Sequence, residues 1–190
     1  MSAGRAPLLP TDLPAVDALG LRLFVSLHCP ERLGPGWHLD VLLLHGWVGS
    51  EDGLEKLVAP WPIRLLQASD ELRGDPEWVA EAAAARAAGE VWALWDSGRP
   101  VAMASVGWRS SAHYDLAVEV ARGARRRGYG LAVAAAAMLA ESARDERAPV
   151  WACEASNDAS LRAAVALGFE PRAAAWVAYP RRGEAVSSAT

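Results

Sequence analysis

The sequence has little cysteine, little lysine and no long apolar run. Its two cysteines, Cys29 and Cys153, are too few for a disulfide framework, and no zinc-ligand spacing accompanies them. No apolar run reaches about 18 residues, so we expect no transmembrane helix. Prolines and acids follow Met1 where a signal peptide would have an apolar core. These absences predict a soluble, cytoplasmic protein that holds no metal.

An excess of positive charge is also missing. The formal net charge is −4, which gives no general reason to expect nucleic acid or an anionic membrane as partner. Arginine supplies nearly all of the positive charge, since Lys56 is the only lysine. The arginine cluster at 122–127 lacks the interleaved aromatic residues of an RNA-binding surface. A chain of 190 residues suits one domain, or one domain with an appendage.

The most informative stretch of the sequence runs from residue 115 to residue 132. Residues 115–120 are typical of a strand, a glycine-bearing turn follows, and an Ala-rich helix begins near Tyr129. Gly128 and Gly130 remove side chains where phosphate would touch the backbone. The start of a helix offers unpaired N–H groups and the positive end of its dipole. The stretch therefore predicts a strand–loop–helix cradle for a diphosphate, and the neighbouring arginines add charge.

The spacing of these glycines excludes two common phosphate loops. A dinucleotide fingerprint needs a glycine where Val133 stands, and the Gly-Lys-Ser/Thr of a P-loop is absent. Arg125, Gly128 and Gly130 instead fill the pattern Arg/Gln-x-x-Gly-x-Gly/Ala. That pattern resembles the acetyl-CoA motif of the GNAT superfamily of N-acetyltransferases. Relatives often have glycine at the position of Arg126, but only a backbone N–H is needed there.

A second stretch, over residues 150–171, strengthens the resemblance. An apolar strand at 150–155 precedes Asn157, and Leu-Gly-Phe follows at 167–169. By local rules Asn157 caps a short helix and Gly168 ends it. The same order of strand, asparagine, helix and Leu-Gly-Phe resembles the second motif of the superfamily. The resemblance implies that Asn157 also faces the cofactor.

The resemblance implies an α/β fold, the GNAT fold, with a mixed, strongly twisted β-sheet and helices on both faces. We expect the acyltransferase domain at residues 61–180. Residues 1–60 match no part of the family pattern and are expected to be an N-terminal extension of uncertain structure, with possible strands at 21–28 and 40–44. Residues 181–190 are expected to form a disordered tail.

Local signals place several elements of this domain. Asp75-Pro76 predicts the start of a helix, with Asp75 as N-cap and proline in the first turn. Residues 91–106 predict a hairpin with a turn near residue 98. The helix after the cradle is expected to run to about residue 144. Its predicted apolar stripe consists of Leu131, Ala135, Met138 and Leu139.

The resemblance implies acetyl-CoA as a cosubstrate and no metal. In this family the strands of the two motifs splay apart, and pantetheine hydrogen-bonds to the exposed strand edges in the gap. A backbone N–H near Val118 or Val120 would polarise the thioester carbonyl. The cofactor-binding residues implied in this way are Val118, Val120, Arg125, Arg126, Arg127, Gly128, Tyr129, Gly130 and Asn157.

The acceptor amine must lose a proton before it attacks, and residues of one strand are candidates for the base. Asp115, Glu119 and His113 share one face of that strand by period-2 alternation. They are equally explained as exposed strand residues, and Glu154 on the neighbouring strand is a further candidate. The usual general acid of the family is a tyrosine, but this chain has Ala164 there. The donor of the thiolate's proton is therefore unassigned.

The leading hypothesis is an acetyl-CoA-dependent N-acetyltransferase that acts on a primary amine of a small molecule or protein by direct attack in a ternary complex. The alternative is a catalytically weak acyl-CoA-binding sensor or scaffold, which the missing tyrosine motivates. A third possibility is a protein-interaction module in which residues 1–60 matter. We expect no nucleic-acid and no membrane partner. The sequence leaves open the acceptor, the acyl-chain preference and the choice between monomer and homodimer.

Overall fold

The structure is a computed structural model that describes residues 37–180, with side chains described over residues 41–174. The expected strand at 21–28 and the expected tail at 181–190 lie outside the described residues. The elements in chain order are β1 (Trp37–Trp47), α1 (Glu51–Val58), β2 (Ile63–Leu65), α2 (Pro76–Ala88), β3 (Val91–Asp96), β4 (Arg99–Arg109), β5 (His113–Val120), α3 (Tyr129–Ser142), β6 (Ala148–Glu154), α4 (Asp158–Leu167) and β7 (Phe169–Pro180).

One mixed sheet of strand order β2-β3-β4-β5-β6-β1-β7 connects all these strands. Neighbouring strands are antiparallel except for β5 and β6, which are parallel. The hairpin predicted over 91–106 is confirmed as β3 and β4. The mixed sheet that the family resemblance implied is confirmed as well.

Strand β1 comes from the segment that the sequence analysis set apart as an extension. Its residues pair with β6 on one side, from Leu42 to Gly46, and with β7 on the other. The strand expected at 40–44 is therefore present, but it is longer and lies inside the sheet. The sequence of residues 40–44 does not indicate that β6 and β7 are the neighbouring strands, because these strands lie more than 100 residues later in the chain.

Helices cover both faces of the sheet, as expected. Buried residues of α1, α3 and α4, such as Leu54, Met138 and Leu167, share one apolar cluster with one face of the sheet. Trp78 and Ala82 of α2 form a second cluster on the opposite face. Helix α2 begins as its sequence predicts, because the Asp75 side chain accepts a hydrogen bond from the Trp78 N–H at 3.0 Å.

Helix α3 is buried on nearly all sides, whereas the sequence predicted burial of a single apolar stripe. Every residue from Ala132 to Met138 is at most 7% exposed. The helix packs on β3, β4 and β5, and α1 packs against it as well. Alanines permit this double packing because they keep the helix thin. The start of α3 therefore has a fixed position above β5, and the candidate site depends on that position.

Candidate functional site

Strands β5 and β6 separate after a short stretch of pairing. They pair only from His113–Ala148 to Asp115–Val150, and no pair follows along the rest of either strand. This is the splay that the family resemblance implied. Each strand keeps its other neighbour, β4 or β1, so both edges of the gap are held in place.

The direction of the β5 amides can be read from the β4–β5 ladder. The Ala121 N–H donates to the Val101 carbonyl of β4 at 3.0 Å. Because successive amides of a strand point to opposite sides, the Glu119 N–H also points toward β4. The Val118 and Val120 N–H groups consequently point away from β4 and into the gap. These are the two positions that the sequence analysis proposed for polarising a carbonyl.

A cleft of about 830 Å³ opens where the start of α3, the start of α4 and the end of β5 meet. Eight predicted cofactor-binding residues line it, namely Val118, Val120, Arg125, Arg126, Gly128, Tyr129, Gly130 and Asn157. Glu119 lines it too. The fold thus brings residues from three separate elements to one cavity.

The turn before α3 leaves the helix start open toward this cleft. Gly128 is the N-cap residue with φ of 82°, and no side chain caps the helix. No atom lies within 4 Å of the position that a Gly128 Cβ would take. Uncapped N–H groups at a helix start favour an anion. Arg126 also has a left-handed backbone, with φ of 62°, a conformation that glycine adopts more readily than other residues do.

Gly130 serves a different purpose from the one that the sequence analysis gave it. A Cβ at this position would lie 3.2 Å from Cγ2 of Val120 and 3.7 Å from Cγ1 of Val118. The missing side chain therefore lets α3 approach β5 closely. A ligand at the helix start would benefit indirectly, through the position of the helix.

Arg127 does not line the cleft, although the sequence analysis grouped it with the cofactor-binding residues. It lies 3.7 Å from the Asp96 carboxylate in the β3–β4 turn. The same carboxylate lies 3.4 Å from the Tyr129 hydroxyl. Tyr129 is 8% exposed, and its ring packs edge-on against Trp61 with centroids 5.0 Å apart. Asp96 and Trp61 thus anchor the start of α3, a contact that sequence reasoning missed.

Asp115 lies on the sheet face opposite α3, outside the lining of the cleft. Its Oδ1 is buried and has no hydrogen-bond partner among the described residues. Burial raises the pKa of the Asp115 carboxyl to about 7, and a hydrogen bond with the backbone of Leu116 opposes the increase. A carboxyl with this pKa can gain or lose a proton near neutral pH.

Glu119 and His113 occupy opposite ends of β5. Glu119 is exposed at the cleft. Burial and the nearby Glu81 raise the pKa of its carboxyl, and Arg125 lowers it. The His113 N–H donates to Ser110 Oγ at 2.9 Å, and its carbonyl accepts from the Ser110 N–H at 2.8 Å. His113 therefore closes the β4–β5 turn, away from the cleft.

Helix α4 supplies the other wall of the cleft. Asn157 caps it as predicted, since its Oδ1 accepts from the Ser160 N–H at 3.1 Å. The Trp151 indole N–H donates to Ser160 Oγ at 3.0 Å, and both residues line the cleft. Ala164 is fully buried, so the position of the family's tyrosine provides no proton donor. Sequence reasoning missed the Trp151–Ser160 hydrogen bond, because the two residues belong to different elements of the second motif, a strand and a helix.

Comparisons with known proteins agree with this geometry. Residues 86–179 match the model of the family described as GNAT acetyltransferase. A protein assigned to the GNAT acetyltransferase family from Novosphingobium aromaticivorans has a similar structure, with a TM-score of 0.56 and 22% identity over 76% of this chain and 66% of that one. A GCN5-related N-acetyltransferase-like protein from Streptococcus suis gives a TM-score of 0.59 and 23% identity over 80% of this chain and 65% of that one.

The chain spans about two thirds of the length of these two solved structures. No curated protein sequence matches it. Among residues 37–180, no helix has the length and apolar character needed to cross a membrane.

Proposed function

The chain belongs, through residues 86–179, to the GNAT acetyltransferase family, and on that premise we propose that it is an acetyl-CoA-dependent N-acetyltransferase acting on a primary amine of a small molecule or protein. The open gap between β5 and β6 carries the proposal. It ends at the uncapped start of α3, so a diphosphate and an extended arm fit one continuous cleft.

The start of α3 is the proposed diphosphate site. Its first N–H groups and the guanidinium groups of Arg125 and Arg126 surround the cleft beside Gly128. Charge-assisted hydrogen bonds of this kind are about twice as strong as neutral ones. The arm of the cosubstrate would then follow the free edge of β5, as an added strand does.

Two amides of β5 are the proposed donors to the thioester oxygen. The Val118 and Val120 N–H groups point into the gap, as the β4–β5 ladder shows. Donors fixed by a strand need no rearrangement when negative charge develops on the oxygen. Acetyl-CoA supplies the activated acyl group, and the chain supplies the alignment of that group with the amine.

Glu119 or Asp115 is the proposed acceptor of the amine proton. Glu119 stands at the cleft, whereas Asp115 lies farther along the same face of β5 and has a carboxyl pKa of about 7. The amine nitrogen bonds to the acyl carbon, its proton passes to the carboxylate, and the carbon–sulfur bond breaks to release the CoA thiolate. Replacing both carboxylates (Asp115→Asn and Glu119→Gln) without loss of turnover would rule out both residues.

Thermal unfolding with acetyl-CoA tests the cofactor assignment. At 100 times its dissociation constant a ligand stabilises the folded state by about 2.7 kcal/mol, so a clear increase in Tm is expected. NAD at the same concentration is the control, because the glycine spacing does not match a dinucleotide site. If acetyl-CoA leaves the Tm unchanged, the proposal is wrong.

An acyl-CoA-binding protein without turnover is the second candidate. The buried Ala164 favours it, because the family's usual proton donor is replaced by a side chain that cannot donate. Release of CoA thiol, followed across a panel of primary amines, distinguishes the two. An increase in Tm with acetyl-CoA but no thiol release with any amine would favour the binding protein.

A further inference from the structure

The arginines near the cleft fall into two groups. Arg122 and Arg127 pair with the carboxylates of Glu77 and Asp96, at 3.2 Å and 3.7 Å, and neither lines the cleft. Arg125, Arg126 and Arg162 line it, and none of them has an ion-pair partner among the described residues. The Arg125 Nε–H donates to the Val120 carbonyl at 3.2 Å. Exposed positive charge without an ion-pair partner therefore lines the cleft.

Arg162 stands apart from the other cleft arginines, because it comes from α4. The residues of α4 that line the cleft beyond its first turn are Arg162, Ala163 and Ala166, and Ala159 precedes them. Their spacing of three and four residues places them on one helix face. Three of these four residues are alanine, and Ser160 of the first turn, which also lines the cleft, accepts a hydrogen bond from the Trp151 indole. Arg162 is therefore the one charged side chain that α4 contributes to the lining of the cleft. It faces a cavity whose other wall is the start of α3.

The proposed cosubstrate offers phosphate groups to both walls. Coenzyme A has a diphosphate in the middle of the molecule and a separate phosphate on the ribose 3′ oxygen. The amides and arginines at the start of α3 suit the diphosphate. One cation on the opposite wall then remains for one further phosphate.

We propose that Arg162 binds the 3′-phosphate of CoA and makes the protein select CoA over dephospho-CoA. The inference rests on the proposed function, since it requires that CoA occupies the cleft. Its basis is the position of an unpaired guanidinium on the wall opposite the diphosphate site. A guanidinium and a phosphate form a charge-assisted, bidentate pair.

Calorimetric titration of CoA and dephospho-CoA into four proteins tests the assignment. The wild type is expected to bind CoA about tenfold more tightly than dephospho-CoA. Arg162→Ala should bring this ratio close to one and leave the affinity for dephospho-CoA unchanged. Arg126→Ala should weaken both ligands equally, because both carry the diphosphate. Arg122→Ala is the matched control and should change neither affinity.

The outcomes separate the two proposals. If the wild type binds neither ligand, the proposed function is wrong, and this inference goes with it. If the wild type binds both ligands equally, or if Arg162→Ala keeps the wild-type ratio, only the role of Arg162 is wrong. Arg162→Lys keeps the charge and should retain part of the preference, whereas a general weakening of α4 would lower both affinities.

Discussion

Single residues in this protein show how burial and backbone shape change ordinary side-chain behaviour. The sequence shows Asp115 only as an acidic residue of a predicted strand. In the structure its Oδ1 is buried and receives no hydrogen bond from the described residues. Burial disfavours the charged form of this carboxyl and raises its pKa to about 7, although a hydrogen bond with the Leu116 backbone opposes the increase. A sequence alone reveals neither the burial nor the missing donor, so this property belongs to the fold.

The stability of the protein should therefore depend on pH through Asp115. Between about pH 4 and pH 7 the folded state keeps a proton on this carboxyl that the unfolded state releases. Stability consequently falls as the pH rises through this window, by on the order of 1 kcal/mol per pH unit. Urea unfolding of the wild type and of Asp115→Asn should show the fall only in the wild type. Equal slopes for both would contradict the pKa assignment.

Arg126 adopts a backbone conformation that suits glycine. Its φ is 62°, a region that costs an L-residue about 1–2 kcal/mol, whereas glycine's extra freedom in the unfolded chain costs about 0.4–1 kcal/mol. Arg126→Gly should therefore leave the free energy of unfolding equal to that of the wild type or slightly higher.

Arg125→Gly is the matched control, because its φ of −64° suits any residue, and this variant should be destabilised. Denaturant midpoints of the two variants give the comparison. A larger loss of unfolding free energy for Arg126→Gly than for Arg125→Gly would show that glycine relieves no backbone strain at residue 126.

At the scale of elements, the ends of the helices combine local and distant constraints. Gly168 ends α4 with φ of 88°, as its position after an apolar run predicts. Its carbonyl also accepts a hydrogen bond from the Val48 N–H at 2.9 Å, and the Trp47 indole N–H donates to the Leu167 carbonyl at 2.9 Å. These two hydrogen bonds connect the end of α4 to the end of β1. No sequence pattern near residue 168 predicts this connection.

Gly168→Ala should destabilise the protein by about 2 kcal/mol or more, since strain and a clash act together. The new Cβ would lie 2.8 Å from the Gly49 Cα. Gly123→Ala is the control, because nothing lies within 4 Å of its Cβ position. Thermal unfolding of both variants measures the difference, and a Gly168 variant as stable as the Gly123 variant would be the contrary result.

At the scale of the whole molecule, β1 fills a position between β6 and β7. Without it these strands would have no common neighbour, and their backbone N–H and C=O groups would lose their partners. Residues 37–47 therefore complete the sheet that carries the acyltransferase motifs. The family pattern predicted a domain boundary at residue 60, whereas β1, which precedes residue 60, pairs with two strands that follow it.

A fragment of residues 61–180 should fail to fold by itself, although it contains every residue of the two motifs. Its circular dichroism should lack a cooperative thermal transition, whereas a fragment of residues 37–180 should retain one. A folded 61–180 fragment that unfolds cooperatively would instead support an independent domain with residues 1–60 as an extension.

Local patterns determined much of this protein without help from the fold. The caps at Asp75 and Asn157, the hairpin near residue 98 and the left-handed Gly168 all depend on hydrogen bonds or dihedral angles within a few residues. The motif around Gly128 likewise predicted a strand, a turn and a helix in the order found. Such features are encoded where they occur, because their partners are close neighbours in the chain.

Only the tertiary structure decided which of these residues face the cleft and which face each other. Arg127 pairs with Asp96, Arg162 lines the cleft, and β1 enters the sheet beside strands more than 100 residues away. Burial raises the pKa of Asp115, and this residue pairs in the sheet with Trp108 of β4 and Val150 of β6. Contacts of this kind depend on how whole elements pack, and the identity of neighbouring residues does not specify that packing.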